Sequence, residues 1–319
     1  RTPAAGGVVH LGPYEVAVRL SFAVWRSMPD AALFAAADAG TLTKPDEVGR
    51  QLRRMLADPR AKSGLGAAHA HWLEYEGVES NPRSTVDYPG WRTEMGPALR
   101  AEADAFMEKV TLGGPGALDR LLSTPHITVP AGLSDFYAVT VPKGTAAPAK
   151  DPKARPGILG LGAVLTTNTE PVHRGLLVRE RILCGEVPPP PPNLEIVQPP
   201  DGPNVTTRAR YSTMLENGTC SGCHQLMNPI GFAFERFDDL GRERLQDKGQ
   251  AIDDSGELVD SDVDGRFVGL AGLSAALRKS ADVEACVSRQ WFAHVVARVI
   301  DPATDQCTLD RMTKAFVAS

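Results

Sequence analysis

The sequence reads Cys220-Ser221-Gly222-Cys223-His224 at the point that decides how the chain is interpreted. Two thiols at this CxxC spacing can add across the vinyl groups of haem, and the adjacent histidine can reach the iron from one face. We therefore predict a covalently attached haem c. Cys220 and Cys223 would form its thioether links, and His224 would be the proximal iron ligand.

Two other kinds of site also use the CxxC spacing, namely redox dithiols and zinc centres. A redox CxxC usually begins a helix that follows a buried strand, whereas residues 206–217 predict a polar helix here. This context favours haem. A structural disulfide or a zinc site stays as the alternative.

The segment after His224 is rich in aromatic residues. Phe232 and Phe234 are expected to wall the macrocycle and exclude water, which raises the reduction potential of a haem. An ordinary aromatic core predicts the same pattern, and both interpretations can hold in a small domain.

The sixth iron position separates electron carriers from enzymes, since a carrier fills it with Met or His and an enzyme leaves it open. Met227 lies only three residues after His224 and tends to the same side of the haem. His294 and Met312 belong to later predicted helices that could cross the opposite face. These three residues are the distal candidates.

The chain has 319 residues, with 34 basic and 39 acidic side chains and a net charge of -5. This balance gives no electrostatic argument for nucleic acid as a partner. The longest apolar runs are interrupted by polar residues such as His294 and Arg298, so no transmembrane segment is predicted. The sequence does not identify a redox partner protein.

Helical periodicity predicts a mainly α fold with an N-terminal helical domain and a C-terminal, cytochrome-c-like haem domain. The predicted divisions are 1–140 for the helical domain, 141–205 for an irregular segment with a helix and a connector, and 206–319 for the haem domain. Five consecutive prolines, Pro188 to Pro192, predict an extended polyproline connector.

Five cysteines and the haem motif together predict export. Cys286 and Cys307 bracket a predicted helix and a turn at Pro302, and we predict a disulfide between them. Cys184 is then left as a small buried thiol or an intermolecular partner. Covalent haem attachment requires export, so we expect a periplasmic or secreted protein. The chain begins at Arg1, and its signal peptide is expected upstream.

An acidic, glycine-punctuated loop near the C-terminus could bind calcium, because hard cations take clustered carboxylates. Its spacing is not that of an EF-hand, and a solvated β-turn is the alternative. The loop contains Asp253, Asp254, Glu257, Asp260, Asp262 and Asp264.

Several stretches together resemble the cytochrome-like proteins of unknown function abundant in planctomycetes and myxobacteria. That family carries a CHxxMDPxGFAxExFD signature, and this chain has Asn228 where the family more often has Asp. The resemblance implies an exported bacterial haem protein and supplies no activity. The stretches are SFAVWRSMPDAALFAAADAGTL (21–42), RRMLADPRA (53–61), GILGLGAVLTTNTEPVHRGLLVRERILC (157–184), PPPPPN (188–193), CSGCHQLMNPIGFAFERFDDLGRER (220–244) and IDDSGEL (252–258).

These observations predict an exported mono-haem c-type cytochrome that transfers electrons. The first alternative is a haem-dependent oxidoreductase of the peroxidase or oxygenase class. The second is a non-haem structural or surface-associated protein in which Cys220 and Cys223 form a disulfide.

Overall fold

The computed structural model describes residues 10–80, 83–86, 88–125, 129–134, 136–140, 146–147, 155–190, 192 and 199–318. Over these residues the fold is mainly α, as predicted. The first eight helices are α1 (Pro13–Trp25), α2 (Ala31–Asp38), α3 (Pro45–Leu56), α4 (Arg60–Trp72), α5 (Met95–Leu112), α6 (Ala117–Ser123), α7 (Gly162–Thr167) and α8 (Pro171–Leu177). The others are α9 (Thr207–Glu216), α10 (Ser221–His224), α11 (Asn228–Gly231), α12 (Gly269–Leu277), α13 (Ala281–Val296) and α14 (Pro302–Val317).

The β-structure in the described residues consists of three short antiparallel pairs. The longest pair places Ser255 opposite Val268 and Leu258 opposite Gly265. The strands are β1 (Val129–Pro130), β2 (Ala146–Ala147), β3 (Gln246–Asp247), β4 (Gln250–Ala251), β5 (Ser255–Leu258) and β6 (Gly265–Val268).

Residues from all three predicted segments enter one large apolar core. Leu99, Val164 and Leu273 are each at most 2 % exposed and belong to it. A second, smaller core lies among the first four helices and includes Leu33 and Met55. The large core contains residues from both sides of the boundaries predicted at 140 and 205, and the division of the chain at these positions stays a prediction.

A disulfide joins Cys184 to Cys286, with α-carbons 5.3 Å apart. The predicted bridge between Cys286 and Cys307 is therefore wrong, and so is the expectation of an unpaired Cys184. Cys286 lies on the buried face of α13, which packs on the π-helical turn Val178–Ile182 just before Cys184. Cys307 is an exposed free thiol on α14. The predicted bridge relied on the spacing of Cys286 and Cys307 along the chain. The packing instead places Cys286 next to Cys184 and leaves Cys307 exposed.

No helix in the described part of the chain has both the length and the apolar character that crossing a membrane requires.

Candidate haem-attachment site

The CxxCH motif follows α9 after a tight turn. Thr206 begins α9 as predicted, because its hydroxyl accepts a hydrogen bond from the main-chain nitrogen of Ala209 at 3.1 Å. At the other end, the carbonyl oxygen of Asn217 accepts from the main-chain nitrogens of Cys220 at 3.0 Å and Ser221 at 2.8 Å. This turn reverses the chain and starts α10, which carries Cys223 and His224.

Cys220 and Cys223 are both half-buried free thiols. The disulfide that the non-haem alternative requires is not formed between them. The Cys223 thiol donates to the carbonyl oxygen of Pro188 at 3.6 Å. The proline run thus begins directly against the motif, and Pro191 of that run lies outside the described residues.

A zinc centre would need several ligands that converge on one point. Among the residues that the structure describes, no three side chains of His, Cys, Asp or Glu are grouped so that they could hold a metal ion. Cys220, Cys223 and His224 therefore do not form a zinc-type cluster. A haem c site differs from a zinc site, because its two thiols bond to vinyl carbons of the haem and only the histidine binds the metal.

A hydrogen-bonded relay fixes the proximal histidine candidate. The Nδ1 atom of His224 lies 3.0 Å from Oδ1 of Asn228. The Nδ2 atom of Asn228 donates to the main-chain oxygen of Tyr211, also at 3.0 Å. Asn228 is completely buried and opens α11, so the relay connects three consecutive elements, α9, α10 and α11.

The relay determines which nitrogen of His224 carries the proton. A carbonyl oxygen only accepts hydrogen bonds, so the atom of Asn228 that faces Tyr211 must be the NH₂ group. The atom that faces His224 is then the amide oxygen, which also only accepts. His224 must therefore donate from Nδ1, and in the neutral imidazole the lone pair that can bind a metal is then on Nε2.

Two glycines let α8 and α11 pack backbone against backbone. A β-carbon at Gly175 would lie 1.8 Å from the carbonyl oxygen of Met227, and one at Gly231 would lie 1.8 Å from that of Pro171. Real β-carbons do not come so close to backbone atoms, so both positions require glycine. The close packing places α8 directly behind the segment that carries His224 and Asn228.

Arg174 on α8 ties the aromatic segment to α7 and α8. Its guanidinium donates to the main-chain oxygens of five residues and is 3 % exposed. Burial lowers its pKa to about 10. The role of Arg174 was not predicted from the sequence, although a charged residue directly before the apolar run Gly175 to Val178 is a visible signal. The accepting residues are Leu165, Asn168, Phe234, Phe237 and Asp238.

A cluster of charged side chains, in which Glu235 and Asp247 are buried, connects the start of α9 to the segment that follows α11. Arg244 contacts the carboxylate of Glu235 at 3.4 Å and that of Asp247 at 2.9 Å. Asp247 in turn accepts from the main-chain nitrogen of Thr207 at 2.5 Å. Burial raises the pKa of Glu235 to about 7, although the positive charges of Arg244 and Arg174 act to lower it. These contacts were not predicted from the sequence.

The two aromatic residues expected to wall the haem have different surroundings. Phe234 is 1 % exposed and belongs to the large core. Phe232 lies under the guanidinium of Arg208, 4.3 Å from its ring centre, and lines a cavity of about 520 Å³ together with Pro229 and Phe267. Phe234 is therefore part of an ordinary aromatic core, which was one of the two interpretations of this segment. Contact of either ring with haem stays a prediction.

The three distal candidates lie in different parts of the fold. Met227 is buried at the start of α11. His294 on α13 donates from Nε2 to the carbonyl oxygen of Ala23 at 2.8 Å, with Trp291 beside it. Met312 lies on α14, which packs on α13. To bind iron through Nε2, His294 would first have to release the carbonyl oxygen of Ala23.

The acidic loop uses its carboxylates for protein contacts. Asp260 pairs with the buried Arg179 at 2.6 Å, and Asp253 pairs with Arg208 at 3.1 Å. Asp262 accepts from the hydroxyl of Ser280 and from main-chain nitrogens at the start of α13. The described carboxylates of this loop do not gather around one point.

The sequence models of two families match the chain. Residues 11–139 match the family described as PSD4, protein of unknown function (DUF1592), and residues 155–247 match PSCyt3, protein of unknown function (DUF1588). Both are planctomycete cytochrome-like families of unknown function. Two regions of this chain thus resemble cytochrome-associated domains. The CxxCH motif lies inside the second match. No curated protein and no solved structure matches the chain.

Proposed function

We propose that this protein is an exported mono-haem c-type cytochrome that transfers electrons. The observation that carries the proposal is the relay from Tyr211 through Asn228 to His224, which leaves Nε2 of the histidine free beside two unpaired thiols. Similarity to cytochrome-associated families over 11–139 and 155–247 supports the same class.

The donor set of the site fits haem c. Cys220 and Cys223 would hold the group through two thioether bonds, and Nε2 of His224 would bind its iron. Haem c supplies, when bound, an iron that changes between the ferrous and ferric states. The chain's own residues keep the imidazole in one orientation and, when it is neutral, in one tautomer, which is the usual role of the hydrogen-bond partner of a metal-binding histidine.

The Cys184–Cys286 disulfide supports export. Structural disulfides form in oxidising compartments such as the periplasm and are rare in the reducing cytosol. Cys286 is 1 % exposed in the interior of the fold. We accordingly assign the protein to the periplasm or the extracellular space.

Attachment of haem is tested on protein made in a host that carries out c-type maturation. We expect the haem to stay with the protein in acidified acetone and to give the pyridine haemochrome of two thioether links. The C220A and C223A variants should each lose one link, and C307A, which alters an exposed thiol on α14, is the matched control. Extraction of all haem from the unmodified protein would refute the proposal.

Binding of carbon monoxide to the ferrous protein separates an electron carrier from an enzyme. A filled sixth position predicts slow binding, and substitution of the distal ligand should then make it fast. Met227→Ala, His294→Ala and Met312→Ala test the three candidates individually. Rapid binding to the unmodified protein, with a high-spin ferric spectrum, would favour the peroxidase or oxygenase class instead.

A further inference from the structure

We propose that Asn228 is a positioning residue that holds His224 in the Nδ1–H tautomer and that, as an uncharged acceptor, it sets the reduction potential of the attached haem. The effect on the reduction potential rests on the proposed function. The effect on the tautomer of His224 concerns the chain itself and applies before any haem is attached.

Asn228 cannot rotate to offer His224 its other amide atom. Its Nδ2 atom is committed to the carbonyl oxygen of Tyr211 at 3.0 Å, and a rotated amide would place two acceptors against each other there. The side chain is completely buried, so water cannot replace the lost bond. The amide oxygen therefore faces Nδ1 of His224 permanently.

The backbone beneath Asn228 is equally constrained. Pro229 follows it in α11, and Gly231 closes that helix against Pro171 of α8. The hydrogen bond from the main-chain nitrogen of Gly231 to the carbonyl oxygen of Met227, at 2.9 Å, completes the turn. A hydrogen-bond acceptor on this anchored turn is in place without rearrangement when a metal approaches Nε2.

The chemical type of the acceptor has an electronic consequence. A carboxylate that accepts from the far nitrogen of a ligating imidazole raises the basicity of the ligand. A more basic ligand stabilises the more highly charged ferric iron and lowers the reduction potential. The neutral amide of Asn228 lacks this effect, so the haem of this chain should have a higher potential than it would with Asp at position 228.

The tautomer is measured first, on the full chain without haem. Nitrogen-15 NMR of the histidine side chains at a pH where they are neutral should show His224 as the Nδ1–H form, with its signal assigned by its loss in His224→Gln. Asn228→Leu, which removes the acceptor, should abolish this preference. An Nε2–H form of His224 in the unmodified chain would overturn the inference directly.

The potential is measured second, on the haem-loaded protein. At a pH where the introduced carboxyl is ionised, Asn228→Asp should change the ratio of ferric to ferrous protein at a fixed potential by about tenfold toward ferric, which corresponds to about 59 mV for one electron. Asn217→Asp is the matched control, because it adds the same charge at an exposed site in the turn before the motif. Equal shifts in the two variants would overturn the electronic role.

The two measurements also separate failure of this inference from failure of the proposed function. A chain that shows the Nδ1–H form of His224 but never acquires haem keeps the positioning role and refutes the cytochrome. A chain that carries covalent haem but has the opposite tautomer in its free state keeps the cytochrome and refutes the role of Asn228.

Discussion

Gly175 and Met227 touch through their backbones: a β-carbon on Gly175 would lie 1.8 Å from the carbonyl oxygen of Met227. This contact packs α8, which lies in the predicted connector segment, against α11, which follows the CxxCH motif. The geometry of His224 therefore depends on a helix about 50 residues earlier, and α8 belongs to the site although it supplies no ligand.

We expect Gly175→Ala to destabilise the protein by about 3 kcal/mol, because the overlap can be relieved only by moving one helix away from the other. The measurement is urea unfolding followed by circular dichroism. Gly218→Ala is the control, since a β-carbon there has no neighbouring atom within 4 Å. Equal stability of the two variants would show that α8 and α11 do not pack as described.

Arg174→Met should cost roughly 3 kcal/mol or more, because buried carbonyl oxygens would be left without a donor. Arg174→Lys should recover only part of this loss, since an ammonium cannot reproduce the planar fork that serves five acceptors. Thermal unfolding checks both variants. Arg278→Met is the control, because Arg278 forms an exposed ion pair with Asp119 that is worth about 1 kcal/mol at most.

A non-reduced digest should contain a linked pair of peptides that carry Cys184 and Cys286. The loop between them spans 102 residues, and closing a loop of that length stabilises a protein by about 4.7 kcal/mol in the chain-entropy treatment. Cys286→Ser should thus lower stability strongly, and Cys307→Ser should leave it nearly unchanged. A link between Cys286 and Cys307 would contradict the structure.

Glu235 should make the free energy of unfolding decrease as the pH rises. Its pKa in the folded protein is about 7, above the ordinary value, so between about pH 4.3 and 7 the folded state binds more protons than the unfolded state. The stability that comes from this proton is present at acidic pH and is lost as the pH rises through 7. Glu235→Gln should flatten the slope in this window, as measured by urea unfolding at a series of pH values.

An unchanged slope in Glu235→Gln would place the titration elsewhere. Glu257→Gln is a suitable comparison, because Glu257 is a half-buried carboxylate on β5 opposite Arg266. A slope that flattens in Glu257→Gln and not in Glu235→Gln would contradict the role given to Glu235.

Local patterns in the sequence predicted much of the helical structure. Pro45–Leu56 begins at its proline and has apolar residues at helical spacing, and the side chains of Asp30 and Thr206 cap the helices that follow them. These features depend on residues within one or two helical turns of each other. Such interactions are visible in the sequence because the partners are always neighbours.

Contacts between distant segments were not predictable in the same way. The partner of Cys286 was assigned wrongly, because chain spacing does not show that α13 packs on the turn before Cys184. The role of Arg174 depends on carbonyl oxygens of α7 and of the aromatic segment about 60 residues later. At the site, the motif identified His224, but only the packing of α9 on α11 brings Asn228 between it and Tyr211.

The central claim is tested most directly by mass spectrometry of the peptide that contains Cys220 and Cys223. Protein from a host with c-type maturation is denatured, treated with an alkylating reagent and digested. We predict that this peptide carries the mass of one haem and no alkyl group, whereas Cys307, an exposed free thiol, is alkylated in the same sample and serves as the internal control. A peptide with both Cys220 and Cys223 alkylated and no haem would contradict the account.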